Sequence, residues 1–518
     1  DREQNKLPLY MNEISERRLY TPLQLQEKLE GMDGQASAFY KRLGESCARN
    51  RVSVDIVMHT SAKPMAFLDI ATLGEVCRAT TGDFLWIRAP QWREQLLEEL
   101  CRPVLSYHGV DAVFKVRCSN GLEVKSYFDS TAPGLCISGG IVGSPELELS
   151  NVQPSTTIAV ELEHRVGGLP QNVSRVYLQA ALLYTTPDGR RRVRVSTLAL
   201  GKAKSPQDVL RSTDFASTIS LIARRTAGSL RKSADGETTL SSARVELVDQ
   251  LCNILACYRL KSGEAFSAPP AQLLLPSKLQ LLPLFVSCYN KNLLRASVPT
   301  KGASRSSIPT PSADERAYKF FLSSAAIPGC SMLLAHPNIF AVDSLDNGAG
   351  EWVVPTLAGV RSEMEQSSYH AHIQLPQSVN PSIACLKDHK VYLIDDGITL
   401  YCYVGRDVPA ELRTELIESD VDRGCWISSS SDAGNSLQRL VWQLRTFTNV
   451  SGGSESTVRP TYPSTIVVIS HGSHRDPFDN TIMKLMVDDS MGGERDYSDF
   501  LVGVHKSVRK LVDNRVIR

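Results

Sequence analysis

The sequence predicts a multidomain chain: an α/β segment, an all-β sandwich, an all-α helical unit, then a second α+β unit and a terminal helix. Three observations carry this. At 518 residues the chain has length for about three to four domains. Its hydrophobic periodicity changes in blocks, from strand–helix alternation to successive short strands, then to helical spacing, then back to α/β patterning. A Ser/Pro/Thr/Gly-rich stretch, ASVPTKGASRSSIPTPSADERA (296–317), marks the last change. The blocks are residues 1–105, 106–202, 203–325, 326–480 and 481–518.

In the first block RVSVDIVMHT (51–60) alternates as a strand, FLDIATLGEVCRAT reads as a helix, GDFLWIR (82–88) as a strand and QWREQLLEELCRPV as a helix. Alternating strands and helices imply a mainly parallel sheet. In the second block DAVFKVRCS, LEVKSYFDS, TIAVELEH, RVYLQAALLYTT and RRRVRVSTLAL are short strands parted by turn signals, the pattern of an antiparallel sandwich. Pro187-Asp188-Gly189 fits a turn, because proline presets φ and glycine accepts φ > 0, so 176–200 is a hairpin. The third block is helical: SPQDVLRSTDFASTISLIARRTAGSLRKS, then a stripe of Val245, Leu247, Val248, Leu251, Ile254 and Leu255, then a helix opening near Pro276. The fourth contains KVYLIDDGITLYCYVG (390–405), two apolar strands around Asp395-Asp396-Gly397, an amphipathic helix in NSLQRLVWQLRTFTN and a buried strand in STIVVIS. The chain closes on a helix that turns Phe500, Leu501, Val504, Val508 and Leu511 inward.

Composition narrows the function classes. With 57 basic and 56 acidic residues the formal charge is +1, which argues against a nucleic-acid binder. The 12 cysteines are scattered without a CxxC pair, so they read as reduced cytosolic thiols rather than a disulfide framework or zinc module. The sequons at Asn172 and Asn449 would go unused in that compartment. No signal peptide is visible, and no apolar run approaches the roughly 20 residues that span a bilayer. The chain begins DREQNKLPLY without methionine and reads as a piece of a longer protein.

Few motifs support catalysis. SHGSH (470–474) ends a buried strand, so His471 and His474 are candidates for metal, but no third ligand has diagnostic spacing. His370 and His372 share a face of an extended chain and meet the same objection. GGIVGSP (139–145) lacks the strand–loop–helix context of a phosphate loop, and turn chemistry accounts for the paired aspartates of IDDG. The stretch TTPDGRRRVRV (185–195) stands apart. On a strand Arg190, Arg192 and Arg194 share one face, about 7 Å apart, and Arg191, Val193 and Val195 share the other. Guanidiniums so close repel unless anions intervene, and each binds a carboxylate through two charge-assisted hydrogen bonds. A peptide acidic at alternate positions matches this repeat; the competing reading is a solvated face balanced by acids across the sheet.

The assembled motifs resemble the cargo-adaptor subunit of the COPII inner coat, the Sec24 type of the Sec23/Sec24 family. FYKRLGESCARNRVSVDIVMHT and LDIATLGEVCRATTGDFLW resemble the end of its vWA-like trunk. VFKVRCSNGLEVKSYF and LQAALLYTTPDGRRRVRVSTLAL resemble its β-sandwich, and LLLPSKLQLLPLFVSCYNKNLLR with DERA its helical domain. VYLIDDGITLYCYVG resembles its gelsolin-like domain, and LMVDDSM with DYSDFLVGVHKSVRKLV its terminal segment. The sister subunit, expected to activate the coat GTPase, shares the architecture but fits ATLG, PSKLQLLPL and LIDDG less well.

The resemblance implies a non-enzymatic adaptor that reads acidic export signals of membrane cargo for ER-to-Golgi transport. It implies as partners the sister subunit, cargo tails and SNAREs, a Sar-family GTPase and, peripherally, the endoplasmic reticulum membrane, with the protein in the cytoplasm and on COPII vesicles. It implies no cofactor in this sequence, zinc being expected in an N-terminal zinc finger that, with most of the trunk, is not in it. Arg191, Arg192 and Arg194 match the family's basic positions, and the resemblance carries the cargo-receiving role to Arg192 and Arg194; Arg190 stands where the family usually carries an acid and enters through strand geometry alone. The stretches 163–176 and 342–380 look longer or more divergent than in the family. The alternatives are the GTPase-activating sister and a scaffold with a metal-dependent loop at His471/His474.

Overall fold

The computed structural model describes residues 35–59, 68–88, 92–105, 108–128, 136–137, 146–153, 156–232, 240–262, 269, 271–294, 313–342, 349–353, 372–420, 424–449, 456–458, 464–470, 477–490 and 495–514. Its elements form the α/β, all-β, all-α and α+β units that the sequence predicts.

The first unit comprises α1 (Gln35–Arg49), β1 (Ile56–His59), α2 (Ile70–Ala79), β2 (Phe84–Ile87) and α3 (Trp92–Leu105). Strands β1 and β2 pair in parallel, Ile56 opposite Phe84. The strand expected from residue 51 starts only at Ile56, because the preceding residues are tied to helix ends: Val52 N–H donates to the Cys47 carbonyl and Val54 N–H to the Thr80 hydroxyl. At Gly44 a Cβ would stand 2.7 Å from the Ala79 Cβ, so glycine lets α1 and α2 approach.

The second unit comprises β3 (Gly109–Cys118), β4 (Leu122–Phe128), β5 (Cys136–Ile137), β6 (Glu146–Val152), β7 (Ala159–His164), β8 (Arg175–Thr185) and β9 (Arg191–Gly201). Five form an antiparallel sheet in the order β5-β6-β3-β8-β9, and β4 pairs with β7. Ala112, Leu147 and Leu149 form the small core, joined by Phe114, Tyr127, Leu182 and Tyr184. The Tyr127 hydroxyl ties β4 to the larger sheet by accepting from Val116 N–H at 3.1 Å.

The helical unit comprises α4 (Pro206–Ser212), α5 (Phe215–Lys232), α6 (Leu240–Lys261), a 3₁₀ turn at Ser277–Leu279, α7 (Leu282–Asn292), α8 (Ala313–Ala325) and α9 (Pro328–Ala335). Ser205 and Asp208 form a reciprocal capping box on α4, and the Asp214 carboxylate accepts from Ser217 N–H at 2.7 Å to start α5. Leu247, Leu251 and Leu255 of α6 are buried with Leu282, Phe285 and Tyr289 of α7. Val245 departs from the expected stripe and is exposed, since two residues before Leu247 on a helix is nearly the opposite face.

The last unit comprises β10 (Asn338–Ala341), β11 (Trp352–Val353), β12 (His372–Ile373), β13 (Ser378–Val379), β14 (Val391–Asp395), β15 (Thr399–Val404), α10 (Ala410–Leu416), β16 (Ile417–Asp420), β17 (Gly424–Ile427), α11 (Asp432–Thr446), β18 (Phe447–Asn449), β19 (Ser456–Val458), β20 (Ser464–Ile469) and α12 (Pro477–Lys484), and is followed by α13 (Tyr497–Asp513). Its main sheet runs β13-β10-β14-β15-β20, with β20 parallel to β15. Strands β14 and β15 are buried on both faces, which explains their continuous apolar sequence. Val391, Leu393 and Leu400 pack with Leu437, Leu440 and Leu444 of α11; Tyr392, Ile394 and Tyr401 pack on the other face with Ile482 of α12 and with Leu485 and Met486 just after it. The terminal helix α13 returns to the helical unit, where Val504 and Val508 enter its core.

One carboxylate links the first and third units. Asp314, in the first turn of α8, is 2% exposed and accepts from Leu68 N–H at 2.6 Å and Ile70 N–H at 3.0 Å. Asp69, at the N-cap of α2, has φ 57° and makes no side-chain cap, so the distant Asp314 supplies the anion at that helix start. Tyr318 and Phe321 of α8 complete the same contact against Ile70, Cys77 and Phe84.

Candidate functional site

The arginine hairpin is β8 and β9 with the turn between them. Gly189 N–H donates to the Thr186 carbonyl at 2.8 Å, and Thr186 N–H to the Arg190 carbonyl at 2.9 Å. Gly189 has φ 81°, so a turn followed by one left-handed residue closes a three-residue loop. The Thr186 hydroxyl bonds to the Asp188 carboxylate and, with neighbouring backbone N–H groups and the Arg192 charge, holds Asp188 below the usual carboxylate range.

Register assigns the arginines to faces. Arg192 stands opposite Tyr184 and Arg194 opposite Leu182, so both share the face on which those two residues meet the sandwich core. Tyr184 lies close over Gly109, where a Cβ would come within 2.5 Å of its ring. Strand β9 is the sheet edge, and every residue in it is exposed. Arg192 and Arg194 make no ion pair with any described residue. Two cations therefore project beside an apolar floor at an open sheet edge.

The other two arginines are engaged within the protein. Arg191 turns to the opposite face and donates to the Asp111 carbonyl at 2.6 Å, the Asp111 carboxylate at 2.8 Å and the Thr185 hydroxyl at 2.8 Å. Asp111 lies at the irregularity of β3 with φ 49° and also pairs with Arg51 at 3.0 Å. Arg190 closes the loop opposite Thr186, one residue ahead of β9, and its guanidinium meets Asp188 at 3.2 Å. Strand alternation puts Arg190 on the face of Arg192 and Arg194, and unlike them it has a carboxylate two residues away. The divergent stretch 163–176 is tied to the far end of the hairpin, where Lys202 donates from Nζ to the Pro170 carbonyl and from its backbone to the Ser174 carbonyl.

The remaining motifs resolve as follows. His471, His474, His370 and GGIVGSP (139–145) lie outside the described residues; the backbone of His372 pairs with Val353 in a two-stranded ribbon. IDDG is the turn its sequence predicts: Asp395 accepts from Gly397 N–H, and Asp396 from Ile398 and Thr399 N–H, at 2.7–3.0 Å. A cavity of about 40 Å³ lined by Arg88, Lys319, Asp396 and Tyr401 has room for little more than water. Among the described residues no helix is long and apolar enough to cross a membrane.

Comparison with known proteins agrees with this architecture. Residues 109–202 match the Sec23/Sec24 beta-sandwich domain, and residues 214–326 match the Sec23/Sec24 helical domain. The human protein transport protein Sec24C is 26% identical over 480 residues, covering 91% of this chain and 38% of the relative. Human Sec24D is 25% identical over 482 residues (92% and 40%), and SEC24 of Lodderomyces elongisporus 25% over 504 residues (91% and 48%). The chain thus spans less than half the length of these relatives. The crystal structure of the human COPII-coat protein Sec24c shares the fold, with TM-score 0.69 at 23% identity, covering 94% of this chain and 57% of that one. Two segments of the chain thus match Sec23/Sec24 family domains, and Sec24 relatives align along most of its length.

Proposed function

We propose that the chain is a non-enzymatic cargo adaptor of the COPII coat, binding acidic export signals on membrane-cargo tails for ER-to-Golgi transport. In this reading it sits peripherally on the endoplasmic reticulum membrane, beside a Sec23-type sister subunit and a Sar-family GTPase, and SNAREs are among its cargo. The observation that carries the proposal is the pair of exposed, unpaired guanidiniums at Arg192 and Arg194 on the edge strand. Their face also presents Leu182 and Tyr184, which suits a signal combining apolar and acidic residues. Arg190 contributes less, because Asp188 already neutralises it.

The test is the binding of a di-acidic tail peptide to the wild type and to Arg192→Ala/Arg194→Ala. Exposed ion pairs typically contribute about 0.2–1 kcal/mol each, so the double substitution weakens binding about 2- to 30-fold and flattens its salt dependence. Arg190→Ala has the smaller effect. Unchanged affinity and salt dependence in the double variant would remove the assignment. Loss of peptide-free anionic liposome binding in the same variant, with peptide affinity intact, would favour a scaffold whose arginines contact phospholipid.

A further inference from the structure

Away from the hairpin, three side chains from distant parts of the chain converge. Cys288 lies on α7, His336 directly follows α9, and Asp488 lies between α12 and α13. Their ligand atoms, Cys Sγ, His ring nitrogen and Asp oxygen, all lie within 4.8 Å of one another. We propose that Cys288, His336 and Asp488 form a binding site for a zinc-type divalent cation that clasps the helical unit, the entry to the α+β sheet and the segment leading to the last helix.

Four observations carry the assignment. His336 Nε2 and Asp488 Oδ1 are 3.5 Å apart, long for a hydrogen bond between them. Bonds of about 2.0–2.2 Å from zinc to nitrogen and oxygen, at tetrahedral angles, set such ligand atoms about 3.3–3.5 Å apart. Asp488 Oδ1 is itself buried and accepts no hydrogen bond. The backbone on both sides of Asp488 is fixed: buried Lys291 donates to the Val487 carbonyl at 2.8 Å and the Asp489 carbonyl at 2.9 Å, and the Asp489 carboxylate accepts from Ser382 Oγ and Ile383 N–H at 2.7 Å. His336 is likewise oriented by ring contact with Phe285 at 5.5 Å.

The donor set selects the metal class. One sulfur, one imidazole nitrogen and one carboxylate oxygen suit zinc, whereas calcium and magnesium take oxygen ligands. Cys288 is 1% exposed, which leaves a nucleophilic thiol no route to a substrate, while the half-buried His336 and Asp488 give an ion its path. Burial and the Asp488 carboxylate push the Cys288 thiol up, so the cation displaces one proton from sulfur to solvent when it binds. Three protein ligands would leave the fourth position of a tetrahedral site to water.

The 518-residue chain is titrated with Zn²⁺ and, separately, with Co²⁺ as a spectroscopic probe. Wild type is expected to show a thiolate-to-cobalt charge-transfer band that saturates at one equivalent, and Zn²⁺ is expected to raise its melting temperature. Cys288→Ser abolishes the band and the thermal shift. His336→Gln, at a half-buried position that tolerates change, keeps the fold and weakens Zn²⁺ binding at least tenfold. A folded wild type without the band, or a band unchanged in both variants, would overturn the site. So would a melting temperature unmoved by Zn²⁺ that His336→Gln lowers regardless of metal, the behaviour of a bare histidine–carboxylate pair.

Discussion

Asp314→Ala measures how strongly the first and third units depend on each other. The carboxylate is 2% exposed and accepts backbone N–H from Leu68 at 2.6 Å and Ile70 at 3.0 Å. Hydrogen bonds to a charged partner contribute about 1.5–3 kcal/mol each, and alanine leaves both donors without that acceptor. It also removes the anion at the N-terminus of α2, which Asp69 does not replace. The expected cost is about 3–5 kcal/mol. Asp314→Asn keeps the shape and one accepting oxygen but loses the charge, so it costs about half as much. Units of a multidomain chain unfold separately, so the informative assay is hydrogen exchange at the Leu68 and Ile70 amides beside denaturant melting followed at Trp86. A loss under about 1 kcal/mol, or unchanged protection at those amides, would refute Asp314 as the cap of α2.

Other outcomes follow from the sandwich. Arg191→Ala removes the contacts to Asp111 and Thr185 and costs about 1 kcal/mol of stability, with less effect on acidic-peptide affinity than Arg192→Ala/Arg194→Ala. A peptide-affinity loss as large as the double variant's, at unchanged stability, would make Arg191 a direct contact. Glu161 is held below the usual carboxylate range first by its hydrogen bond from Lys125 at 2.9 Å, with Arg225 adding charge. A carboxylate lowered in the folded state stabilises above its unfolded value, and that stability is lost as pH falls through the folded value. Glu161→Gln should therefore remove under about 1 kcal/mol near neutrality and nothing at low pH, as urea melts across the acid range would show. An equal loss at both pH values would mean that packing, not charge, holds that residue.

The sequence by itself determined what is local. Helix and strand periods follow from side chains three or four, or two, residues apart, so the unit types, the Pro187-Asp188-Gly189 turn, the Asp395/Asp396 turn and the two-faced arginine strand were legible in it. Family resemblance rested on the same kind of signal, runs of residues adjacent in the chain. Tertiary structure decided which charges remain available. Arg191 is taken up by Asp111, 80 positions earlier, and Arg190 by its own turn, leaving Arg192 and Arg194. DERA (314–317) was legible as a motif, but that Asp314 caps α2 from 244 positions beyond Ile70 was not. Cys288, His336 and Asp488 share no spacing rule, and only the return of the segment after α12 against α7 brings them together. The physical reason is that hydrogen-bond and ligand distances of a few ångströms are set by how the folded elements pack, and separation along the chain places no bound on them.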